Sequence, residues 1–239
     1  MNFGQLLKKL SHSSLSELAV GGHGSGVVPL EEVPKIAIKT MDALRGLYTR
    51  FPLDCRTLTL ETVSGIYTYP LRREYAQTSD SDEPNKFIKD TPDNPFTGDI
   101  VMVTGVNDDR FLELPFNDNM RRCEWRLVAY DTLAYSDPVT AERFFVEYRA
   151  NHPEIPFDTL DQEGQYEQIE IRIPTVLERA LVAHIASSIY STMSVEGAMA
   201  KADKLMMTYE NECMFHEERN TFNQWSAQSE RDIRKNGWV

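Results

Sequence analysis

The stretch VGGHGSGVVP, residues 20–29, is where the sequence comes nearest to a phosphate-binding loop. Such a loop needs a strand before it, a helix N-terminus after it, and backbone N–H groups left free to face the anion. Here no strand pattern precedes Gly21, Gly22, Gly24 and Gly26, no GK[ST] closes the run, and the spacing does not fit GxGxxG. The reading is a structural turn ending at Pro29, in which glycine supplies positive φ or lets another segment come close. Ser25 falls one position too late for a GxSxG nucleophile elbow. The histidines form no HExxH: His184 sits on the apolar stripe of a helical pattern, and His216 has no partner four residues on. Cys55, Cys123 and Cys213 are far apart and read as buried free thiols in a reducing compartment. With 37 acids in the chain a glycosidase-type carboxylate pair is always available, yet no two are singled out. No catalytic residue, metal ligand or cofactor is assigned.

Charge narrows the partners. The net charge is −12, and residues 80–120 hold ten acids against three bases. Residues 154–170 add six acids and no base. Tight nucleic-acid binding places Lys and Arg at the phosphates, so an acidic surface of this kind repels DNA. Hydrophobic residues make up 41%, enough for a packed core, and no apolar run is long enough to cross a bilayer. The opening MNFGQLLKKLSHSS has its lysines after its leucines and is not read as a secretory signal.

The elements that must position these residues fall into two kinds. Helical periodicity marks residues 3–11, with Leu6, Leu7 and Leu10 on one face, and residues 30–51, with Pro34 tolerated in the first turn. A third helix is expected after Pro174, its small residues Ala180, Ala183, Ala186 and Ser187 allowing close packing. A fourth follows Ser194 as N-cap, carrying Val195, Ala198, Ala202, Leu205, Tyr209 and Cys213, and pairs with the third as a hairpin joined by residues 192–194. Between the two helical ends the period shifts towards two: RTLTLETV, IVMVT, EWRLVAY, RFFVEYR and QIEIRI read as strands. The expected fold is therefore α+β. A discontinuous helical bundle core (residues 1–52 and 174–216) carries an inserted antiparallel β domain (residues 53–173). An extended C-terminal arm (residues 217–239) completes it.

That arm is polar between its aromatics Phe222, Trp225 and Trp238, too poor in apolar residues for a core of its own. It ends KNGWV. An indole there is a large apolar surface suited to anchoring in a partner, so Phe222, Trp225, Lys235, Gly237, Trp238 and Val239 are read as a docking segment.

Three stretches together resemble a known family. LSELAVGGHGSGVVPLEEVPKIAIKTMDALRGLYTRF is similar to the N-terminal signature of podovirus head-to-tail adaptor proteins, the tail-tubular-protein-A-like group. IPTVLERALVAHIASSIYSTM resembles that family's return from the β domain into a helix, and KNGWV its short C-terminal end. The resemblance implies a virion protein with no cofactor and no turnover, assembled in the host cytoplasm as a ring of about twelve copies in the neck between capsid and tail. Its arm would dock on the portal protein, its other side would receive the tail nozzle protein, and the genome would pass through without specific binding. Two alternatives stay open on the residues alone: a cell-wall-degrading hydrolase, or a soluble adaptor of another complex.

Overall fold

Asn2 starts the first helix. Its side chain accepts from Gln5 N while the Gln5 side chain accepts from Asn2 N, a reciprocal cap that satisfies two orphan donors of α1, Phe3–His12. The computed structural model describes residues 1–117, 124–136, 141–156 and 165–222, and the chain is α+β. It divides into two compact units: Met1–Pro52 with the chain from Glu154 on, and Leu53–Pro153.

In the helical unit, α1 buries Phe3, Leu6, Leu7 and Leu10. After the glycine turn, a 3-10 turn at Leu30–Glu32 leads into α2, Val33–Arg50, where Pro34 sits in the first turn and needs no N–H donor. Ile36, Met41, Leu44, Leu47 and Tyr48 line its buried face. α3, Glu178–Tyr190, is the central helix and packs against α4 (Ala198–Glu218), α2 and α1. Ala180, Ala183, Ala186 and Ser187 are all buried on it, and Ser187 Oγ donates to Ala202 O at 2.9 Å. That bond is possible only because both helices present small side chains at the crossing.

Two features differ from the sequence pattern. The link between α3 and α4 does not stop at Ser194. It runs to Gly197, whose φ of 80° reverses the chain, and no side chain caps α4. The hydroxyls of Ser191 and Thr192 bond back to the α3 carbonyls of Ser188 and Ile189, which ends that helix and delays the next. QIEIRI is the second case. It builds no strand in the β unit, which ends at Pro153 and not at Ile173. Gln165–Gln168 form a 3-10 turn, and Ile169 and Ile171 pair instead with the chain start: Phe3 N donates to Ile169 O and Ile171 N to Met1 O. The alternation is real, but its partner is the first three residues of the chain.

The β unit holds two antiparallel sheets. The first has the order β3-β1-β7-β4, from β1 (Cys55–Glu61), β3 (Ile88–Lys89), β4 (Ile100–Asn107) and β7 (Arg143–Ala150). The second has the order β2-β6-β5, from β2 (Thr68–Pro70), β5 (Trp125–Ala129) and β6 (Thr132–Tyr135). Inward residues of both sheets form one core, including Leu60, Val146, Val106, Leu133 and Trp125. Trp125 is its centre: its ring stacks on Tyr135 at 4.6 Å and meets Phe144 edge-on at 4.9 Å.

Candidate functional site

The glycine turn is built to be rigid. Gly22, Gly24 and Gly26 have φ of 79°, 79° and 76°. The N–H groups of Gly21, Gly22, His23 and Ser25 all bond within the turn, to Leu18 O, Ala19 O, Leu18 O and Gly22 O. Donors spent in this way cannot cradle an anion. Ser11 Oγ donates to Gly26 O at 2.9 Å and ties the turn to α1, while Pro29 O accepts from Glu32 N at 2.9 Å ahead of α2. An open cavity of about 410 Å³ beside the turn is lined by Leu7, Lys8, Val28, Tyr166 and Glu167, with Lys8 already 3.7 Å from Glu167.

Of the docking-segment residues, Trp225, Lys235, Gly237, Trp238 and Val239 lie outside the described residues, as does Cys123. Phe222 is described. It packs edge-on against Phe51 at 5.2 Å and near His216 at 5.8 Å, and Thr221 N donates to His216 O. Phe222 therefore closes the end of α4 onto α2 of its own chain. Arg50 reinforces the same junction, with bonds of 2.7 Å to Glu210 and 2.7 and 2.9 Å to Glu217.

The titratable groups are arranged for structure. Burial pushes the Cys213 thiol up to about 11, which keeps it from being a nucleophile, whereas Cys55, expected to be buried as well, is exposed at the start of β1. Asp90 is nearly buried. Burial alone would lift its pKa, but bonds from Thr78 and Phe96 N and the charge of Arg73 outweigh that and hold it below the usual value. Asp131 is lowered in the same way by Arg72 and Thr132, and Glu217 by Arg50. A general acid needs its pKa moved the other way. A polar cavity of about 420 Å³ at the edge of the first sheet includes Arg56, Lys89, Asn94 and Tyr148. Its cations are already matched: Arg56 by Asp54 and Asp99, Lys89 by Glu61. Tyr148 is pushed up to about 12, chiefly by burial, and stays protonated. Among the described residues no group of three or more His, Cys, Asp or Glu side chains could hold a metal ion.

His184 makes a testable case. Its ring meets Tyr209 edge-on at 4.8 Å, and its Nδ1 is buried without a hydrogen-bond partner among the described residues. Burial lowers its pKa from 6.5, with Asp42 and Glu210 only partly opposing. The unfolded chain therefore binds this proton more readily than the folded one. The stability tied to neutral His184 is complete above pH 6.5 and is lost as pH falls from there towards the lowered folded value. Urea midpoints should fall across that window, and the fall should be smaller in His184→Gln; equal slopes in both proteins would contradict it.

The feature that sequence reading missed is the outer face of α4. The stripe through Ala198, Ala202, Tyr209 and Cys213 is buried, but the helix has a second apolar face. Met199 and Met207 are 64% and 66% exposed, and Met206, Met214 and Phe215 join them. Four of the nine methionines in the chain lie on this one helix, which was the signal available. Exposed methionine-rich faces of this kind adapt to partners. A smaller apolar pair, Phe111 and Leu112, stands out from the β unit on a loop whose Asp108 carboxylate accepts from Arg110 N and Leu112 N.

No family model matches the chain, and no curated protein matches it in sequence.

Proposed function

We propose that this chain is a structural head-to-tail adaptor of a short-tailed bacteriophage, a ring component that joins portal to tail nozzle and gives the genome passage. The observation that carries the reading is the way the chain is divided. Both ends of the sequence build one helical unit and the middle builds a separate antiparallel β unit, which is the layout implied by the resemblance in the glycine-turn, Ile173–Pro174 and KNGWV segments. The chemistry of the described residues supports an assembly role. The turn donors are spent internally, the perturbed carboxylates are all lowered, and α4 carries a group of exposed apolar side chains. A ring repeats one heterologous contact until it closes.

In this reading KNGWV is the portal anchor. Trp238→Ala should weaken binding to the portal protein of the same genome by about thirtyfold, the loss of a hot-spot aromatic of about 2 kcal/mol. Calorimetric titration of the full-length protein checks it. Unchanged affinity in Trp238→Ala would mean that the docking surface lies elsewhere.

A further inference from the structure

On α4, Lys204, Met207, Asn211, Met214 and Glu218 are spaced three and four apart and are all exposed, with Phe215 beside them. That is the seam spacing of a two-helix coiled contact. The side chains of Lys204, Asn211 and Glu218 make no ion pair or hydrogen bond among the described residues. About Asn211 the seam is balanced except at Met214, whose counterpart three residues to the other side is Thr208. Four residues to either side are Met207 and Phe215; seven residues to either side are Lys204 and Glu218, of opposite charge.

We infer that this seam is a self-association face, on which α4 of one copy lies antiparallel to α4 of a second copy across a two-fold axis at Asn211. In that register Asn211 meets its own symmetry mate, amide to amide. Met207 and Phe215 fill the layers on either side. Lys204 of each copy faces Glu218 of the other, so the two ends of the seam are paired by charge twice over. A parallel pair would set Lys204 against Lys204 and Glu218 against Glu218, which charge repulsion disfavours. One buried Asn between apolar layers fixes register, because any slip leaves the amides unpaired.

The contact does not depend on the adaptor reading. An isologous pair uses the same patch on both copies and closes at two, so it cannot be the repeated contact of a ring. It describes the free protein, whose α4 faces would cover each other before any larger assembly forms.

The test uses the full-length chain. Sedimentation equilibrium should give a dimer. Lys204→Glu and Glu218→Lys should each weaken it by about tenfold, and the two together should restore it. All these side chains are exposed and unbonded, so folding is preserved. In a Cys55→Ser, Cys123→Ser background, Asn211→Cys should cross-link between copies on oxidation, and Met199→Cys, twelve residues from the two-fold axis and outside the seam, should not. A monomer at every concentration would overturn the inference. So would a dimer or larger oligomer that is indifferent to the charge reversals and uncross-linked through Asn211→Cys.

Discussion

Trp125→Ala should melt the β unit while leaving the helices in place. Trp125 is fully buried and touches Tyr69, Tyr135 and Phe144, so truncation leaves a cavity walled by three rings that are themselves held by the sheets. Substitutions of this kind cost about 3–5 kcal/mol. A domain is stable by only about 5–15 kcal/mol in total. Residues 53–153 form their own compact unit, so the loss should fall there. Hydrogen exchange should show amides of β1, β4 and β7 losing protection while those of α3 and α4 keep theirs. Trp125→Phe should cost less than half as much. The indole Nε1 is buried without a partner among the described residues, so removing it also removes an unsatisfied donor. A loss below about 1 kcal/mol for Trp125→Ala would show that the core does not depend on this ring.

Gly22→Ala should strongly damage the turn between α1 and α2. At φ 79° an L side chain is strained, and its Cβ would stand 2.0 Å from Val27 O, a backbone atom that cannot move without opening the turn. Strain of about 1–2 kcal/mol and overlap of about 1–3 kcal/mol add to roughly 3–4 kcal/mol. Gly24 is the internal comparison. It has the same φ, but its nearest neighbour would be Ser16 O at 3.8 Å, so Gly24→Ala should show only the backbone term, about 1–2 kcal/mol. Thermal melts of the two variants separate the contributions. Equal losses would mean that the turn relaxes around the new methyl.

The helical faces were legible because burial and periodicity agree. Ile36, Met41, Leu44, Leu47 and Tyr48 repeat at helical spacing and are buried together. Positive φ at Gly22, Gly24 and Gly26 was likewise implied by glycines in a run with no other role. Strand partners were not legible. The alternation of QIEIRI is identical whether a segment joins a sheet or pairs with the chain start, and only the fold chooses Met1 and Phe3. The β6 strand and the two-residue β3 carry too few residues to show a period at all. Trp125 was read as part of a strand, but nothing local marks it as the centre of a two-sheet core. On α4 the first apolar stripe accounted for packing, and the second, through Met207 and Met214, became visible only once the first was placed against α3. Phe222 shows a contact that the sequence did not signal. It belongs to a polar segment, yet it packs on Phe51 of its own chain.

We propose that this protein builds a ring on a portal. The most direct measurement is native mass spectrometry of the full-length protein alone, with the portal protein of its genome, and with residues 236–239 deleted. The expected result is no ring from the protein alone, a closed multi-copy assembly when the portal is added, and loss of that assembly in the deletion. Failure of the full-length protein to bind the portal at all would contradict it.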